Sequence, residues 1–297
     1  MGYTSYSLDN RSIRAIADGY YTKSKSAIFA QTNKREVHPG MNPKNVKTRE
    51  CKDSEAHPKT VPIQLYLDVT GSMGMIPHEL IKVGLPTLMS KLIQAGVSDA
   101  ALMFGAIGDH ECDDVPLQVA QFESGDAELD MWLTRIYLEG GGGLNSGESY
   151  ILAWYFAANH VQTDAFEKRG KKGFVFTVGD EPYLRSIPKN ALLEIMGETC
   201  AAEESMSAEK LLEMTTKTNH VYHIHIQHAS YRDCPSNWKQ LLGDHCIVIK
   251  DPKDLAKTIC EIILSKMDEN DLKTDEHVVH EISTSSDNID REDKLRL

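Results

Sequence analysis

Where the apolar run "QLYL" ends, the chain reads "DVTGSMG". This places Asp68, Thr70 and Ser72 at alternate positions, with Gly71 and Gly74 among them. One carboxylate and two hydroxyls are hard oxygen donors, a set that suits Mg²⁺ or Mn²⁺ in near-octahedral geometry with some water retained. A loop turning over the end of a strand can aim all three at one point, and the glycines permit the tight backbone this needs. Two other roles suit the same residues. An aspartate followed by hydroxyls can cap a helix, and an aspartate beside Mg²⁺ can act as a nucleophile on phosphate.

Other chemistry-bearing groups weigh less. "HVYHIHIQH" holds His220, His223, His225 and His228. His223 and His225 share a strand face and could in principle hold zinc, but they lack a matching cysteine or acid, so packed histidines are expected. "GDHECDD" (108–114) has potential ligands without the spacing of a calcium-binding loop and reads as a solvated hairpin turn. "GGGG" (140–143) could cradle a phosphate, yet no G-x-x-x-x-G-K-[ST] pattern accompanies it. "YILAWYFAANH" reads as a core helix, Trp154 included. No Cys–His, Ser–His or paired-carboxylate arrangement stands beside the opening stretch, so no catalytic residue is assigned.

The elements that must position Asp68 are legible as apolar runs. "VPIQLYLD", "AALMFGAIG", "GFVFTVG", "HVYHIHI" and "HCIVIK" are buried strands, and "PLQVAQF" alternates as an edge strand joined by the hairpin across "DHECDD". "PHELIKVGLPTLMSKLIQAG" has helical spacing with Pro77 in its first turn, and further helices are expected at 126–137, 186–197, 207–217, 235–242 and 252–266. Continuous apolar strands alternating with helices predict an α/β fold: a doubly wound, mostly parallel six-stranded sheet with one antiparallel edge strand. Ligands of such sheets sit at the carboxyl ends of the strands near the topological switch point. "DVTGS", "LEGGGGLNSGESY" (138–150) and "FVFTVGDEP" (174–182) all fall at that end.

These three loops, in this order, give residues 61–266 a resemblance to the von Willebrand factor type A domain, with "DVTGS" matching that family's D-x-[ST]-x-S metal-ion-dependent adhesion site. The run "QLYLDVTGSMG…AIGD…PLQVAQFE…LEGGGG…ESY…KKGFVFTVGDE" is more narrowly similar to bacterial and phage-borne proteins carrying this domain. The resemblance implies a Rossmann-like fold and Mg²⁺ or Mn²⁺ held by Asp68, Thr70 and Ser72, with Asp180 bound directly or through water. It also implies a protein partner that offers an acidic side chain to the metal. The second loop lacks the family's threonine, leaving Asn145, Ser146 or Glu148 to substitute, and in "GDE" Glu181 competes with Asp180. "DVTGS" is also similar to the D-K-T-G-T motif of haloacid-dehalogenase-like ATPases. But "GDEPYLRS" lacks that group's second acid, and "GGGGLNSGES" goes unexplained by it.

Charge is uneven along the 297 residues. Residues 1–60 carry 11 Lys/Arg against 6 Asp/Glu (+5), and residues 267–297 carry 10 acids against 4 bases (−6). The formal net charge of −12 therefore leaves −11 for residues 61–266. A basic leader beside an acidic domain is expected to be an extended arm that packs on it, with one short helix near Ser12–Asp18. The acidic end is expected to be a disordered tail. The six cysteines lack C-x-x-C spacing, no signal peptide precedes them and no apolar stretch approaches a membrane span. These features lead to the expectation of a cytoplasmic protein without a membrane role and with nucleic acid disfavoured as a partner, and the resemblance implies an interaction module, an adaptor or a structural component of a phage or bacterial assembly. The resemblance adds AAA-type ATPase systems as the kind of machine such modules serve.

Overall fold

The computed structural model describes residues 4–71, 73–140, 147–227 and 234–268. The six apolar runs form β1 (Val61–Asp68), β2 (Ala100–Ile107), β3 (Leu117–Val119), β4 (Gly173–Gly179), β5 (Asn219–Ile226) and β6 (Cys246–Ile249). They pair in the order β6-β5-β4-β1-β2-β3. Every pairing is parallel except β2 with β3, which is antiparallel at the edge. The chain runs outward from β1 to β3 and returns on the other side at β4, so the switch point lies between β1 and β4. Leu67 is in register with Val178, which sets Asp68 level with the end of β4.

Both faces of the sheet are covered, which is why the strands are apolar throughout. On one face Leu65 lies beneath α2 (Leu85–Gln94) and α8 (Leu255–Leu264), which pack on each other. The next position in register shows the other face, where His223 meets Tyr150 at the head of α4 (Ile151–Asn159). The remaining main helices are α1 (Leu8–Ala17), α3 (Asp126–Thr134), α5 (Lys189–Met196), α6 (Ala208–Thr215) and α7 (Cys234–Leu242). Trp154 is fully buried, as expected of a core helix. Among the described residues no helix is long and apolar enough to cross a membrane.

Three expectations need correction. The helix after the opening stretch is not continuous: Ile76–Glu79 leads into a π-helical turn, Leu80–Gly84, before α2 begins. Pro86 accounts for the break, because it has no N–H to donate and its ring crowds the carbonyl four residues back. The basic leader is not extended. It contributes α1, the short helices Lys25–Ile28 and Ala30–Lys34, and a strand, Arg49–Cys51, parallel to Val161–Thr163. Its Ala15, Phe29 and Met41 are wholly buried in the common core. At the other end Met267 packs on that core and Asp268 pairs with Lys171, so ordered packing runs past residue 266.

Candidate metal centre

Asp68 closes β1 and is fully buried. Its Oδ1 accepts the Thr70 hydroxyl at 2.6 Å and the Thr70 N–H at 2.9 Å, an Asx-type turn that folds the loop back over the strand end. Its Oδ2 accepts the phenol of Tyr150 at 2.5 Å. Burial, opposed by these hydrogen bonds and reinforced by Asp180, pushes the Asp68 carboxyl up to about 7.

Tyr150 reaches Asp68 because β4 ends in glycine: a Cβ on Gly179 would stand 1.9 Å from the phenol oxygen. The ring is set edge-on against His223 and Trp238, at centroid distances of 5.2 and 5.3 Å. His223 stacks on Trp238 at 3.6 Å, and burial holds its imidazole well below the usual range, in the neutral form. The indole N–H of Trp238 donates to the Glu181 carbonyl at 2.9 Å, which ties α7 to the third loop. The histidines expected to be packed include a buried His223 and His225, and His223 works here as part of an aromatic floor.

The second loop is stitched to the third by two backbone bonds. Glu148 N–H donates to the Pro182 carbonyl at 2.8 Å, and Leu184 N–H to the Glu148 carbonyl at 3.0 Å. The Glu148 side chain is buried, and its Oε2 has no hydrogen-bond partner among the described residues. Burial first, then the charges of Asp68, Asp109, Asp113 and Glu181, push its carboxyl up to about 9. Asp180 lies one residue past β4 and is fully buried, while Glu181 is half-buried. Ser72, Asn145 and Ser146 lie outside the described residues.

"GDHECDD" is not wholly a solvated turn. Glu111, Cys112 and Asp114 are exposed, but Asp109 is fully buried. Its Oδ1 accepts the Glu111 N–H at 3.0 Å, and Ser149 Oγ lies 2.7 Å from the ring Nδ1 of His110. Ser149 is itself fully buried, so this group anchors the hairpin and offers no accessible nucleophile. The β2–β3 turn is drawn inward because it faces the second loop, a proximity that no local pattern encodes.

The donor chemistry suits a hard divalent cation. Carboxylates at Asp68 and Asp180, a third at Glu148, and the Thr70 hydroxyl are oxygen donors gathered at one sheet end. Among the described residues no Lys or Arg is one of the strongest electrostatic influences on Asp68, Glu148 or Tyr150. Among the described residues no group of three or more His, Cys, Asp or Glu side chains forms a metal cage. A cation here would therefore draw on hydroxyl oxygens as well.

No protein-family model matches the chain. No curated protein matches it. Solved structures do align with it. The vWF domain of the type V pili tip protein Mfa5 from Porphyromonas gingivalis aligns at TM-score 0.47 and 10% identity, over 70% of this chain and 97% of that one. The open conformation of the pilus adhesin SpaC from Lactobacillus rhamnosus GG aligns at TM-score 0.46 and 11% identity, over 72% and 31%. Proximal thread matrix protein 1 from the mussel byssus aligns at 0.43 and 9%, over 73% and 48%. The match thus spans about a third of the adhesin's length and about half of the byssal protein's.

Proposed function

We propose that this chain is a protein-interaction module whose binding site is a divalent cation, Mg²⁺ or Mn²⁺. Asp68, Thr70 and Ser72 would hold it with Asp180, and Glu148 supplies the second-loop oxygen for which Asn145 and Ser146 are the alternatives. The observation that carries this reading is the buried gathering of acids at the switch point. Among the described residues Glu148 Oε2 has no hydrogen-bond partner, and the strongest electrostatic neighbours of this side chain are other acids. A buried carboxylate oxygen without a donor is costly, and a bound divalent ion is a large local charge that reverses the cost. When bound, the ion supplies an electrophilic position for an acidic side chain of a protein partner, as the resemblance implies. The module would serve as an adaptor or a structural component of a larger assembly, AAA-type ATPase systems included, and carries no catalytic group of its own.

Calorimetry with Mg²⁺ and Mn²⁺ on wild type and Asp68→Ala tests the site. Heat of binding is expected for wild type only, and equal heats would place any cation elsewhere. Partner capture should fall with EDTA and in Asp68→Ala while circular dichroism stays unchanged. Cation-dependent hydrolysis of a phosphate ester or ATP by the pure protein, lost in Asp68→Ala, would replace this reading with phosphotransfer at Asp68.

A further inference from the structure

We infer that a basic cavity at the amino-terminal end of the sheet, the end away from the metal centre, is the docking site of the chain's own acidic segment 269–276. The cavity, about 240 Å³, opens between the start of β1 at Val61, the first residues of β4 and β5 at Phe174 and His220, and the end of α8. Five cationic side chains line it, Lys59, Arg169, Lys171, Lys172 and Lys266, against a single acid, Asp268. Arg169 is fixed in the wall by an ion pair with Asp53 and a 2.9 Å bond to the Thr60 carbonyl. Lys59, Lys172 and Lys266 are exposed. Lys172 and Lys266 both act on His220, lowering its pKa after burial, so their charges bear on the same part of the cavity.

Asp268 identifies the occupant. It is the last described residue, and its carboxylate already meets Lys171 at 2.5 Å, so the chain leaves the domain at the rim of the cavity. The next eight residues read "ENDLKTDE", with Glu269, Asp271, Asp275 and Glu276 against Lys273 alone. An extended chain spans at most about 3.5 Å per residue, which keeps Asp271 within about 10 Å of Asp268. A segment tethered this closely acts at an effective concentration on the order of millimolar, an advantage that a free anion of similar charge lacks. Opposite charges, a rim contact already made and a short tether all point to docking within one molecule.

Carbodiimide cross-linking of the full chain, read by mass spectrometry, tests this, because the reagent joins a carboxylate to an amine already in contact. Links from Glu269, Asp271, Asp275 or Glu276 to Lys59, Lys172 or Lys266 are expected. In about 0.5 M NaCl, where charges are screened beyond about 4 Å, their yield should drop at least several-fold. The triple variant Lys59→Glu, Lys172→Glu, Lys266→Glu should lose them. Adding Glu269→Lys, Asp271→Lys, Asp275→Lys and Glu276→Lys to that variant should restore them in the reversed sense. Equal linkage of the segment to lysines elsewhere, such as Lys44 and Lys189, would overturn the inference. So would links formed only between light and heavy copies in an isotope-mixed sample, or failure of the reversed pair to reconnect.

Discussion

At Asp68 the two carboxylate oxygens are held differently, Oδ1 by the residue two places on and Oδ2 by a phenol 82 positions away in the chain. The distant contact stabilises the loop only while the fold is intact. With Asp68 ionised, at about pH 9, Tyr150→Phe should therefore cost about 1.5–3 kcal/mol in denaturant unfolding without metal, the range for a hydrogen bond to a charged group. Unchanged stability would show that the phenol does not hold Asp68. The raised carboxyls set a pH dependence. Asp68 moves from 3.8 to about 7 and Glu148 from 4.5 to about 9, so the folded protein keeps protons that the unfolded chain releases near pH 4. Stability from these groups is full below pH 4 and is lost as pH rises to about 9. A cation competes with the same protons. The rise in melting temperature produced by millimolar Mg²⁺ should accordingly be larger at pH 9 than at pH 6, and a shift that is flat or reversed would count against the metal centre.

Among the elements, β4 matters through its last residue. Gly179 leaves the space that the Tyr150 phenol fills, so Gly179→Ala must push the ring away from Asp68. Overpacking of this kind costs about 1–3 kcal/mol. In a Tyr150→Ala background the obstructed ring is gone, and the same substitution should cost clearly less. A double-mutant cycle by urea unfolding reads this coupling, and additive costs would mean that the glycine serves the strand and not the phenol. The π-helical turn at Leu80–Gly84 follows the Asp68 loop after one short helical turn, Ile76–Glu79, and is placed there by Pro86.

Across the whole molecule, the leader is joined to the sheet domain by more than its overall charge. Arg11 is 1% exposed and pairs with the equally buried Asp130 at 2.7 Å, and Arg14 reaches both Asp126 and Asp130. Removing one partner from a buried pair leaves a desolvated charge behind, so Arg11→Ala should lower stability by about 3 kcal/mol, softened by Arg14 staying on Asp130. Deleting residues 1–36 should cost more, since Ala15 and Phe29 leave the core with it. Truncation after Asp268 should leave the melting temperature nearly unchanged, because docking through exposed ion pairs contributes little to stability. A large loss on that truncation would show that the acidic segment is part of the fold.

The primary structure by itself determined the sheet. Each of its strands is a local run of apolar residues, and alternation with helices leaves few ways to stack them, so strand count, the antiparallel edge and the place of Asp68 were all legible. Thr70 was legible for the same reason, being two residues from its partner. Only the tertiary structure could bring Tyr150 and Glu148 of the second loop to Asp68, and Asp109 of the β2–β3 turn to Glu148, since these groups arrive from separate loops and nothing in the spacing within each loop records their meeting. The leader shows the same limit. Its polar composition reads as an extended arm, yet a few apolar residues and Arg11 acquire their value from a surface on α3 that exists only after folding. Local periodicity encodes elements. Long-range register and burial decide which side chains share a site.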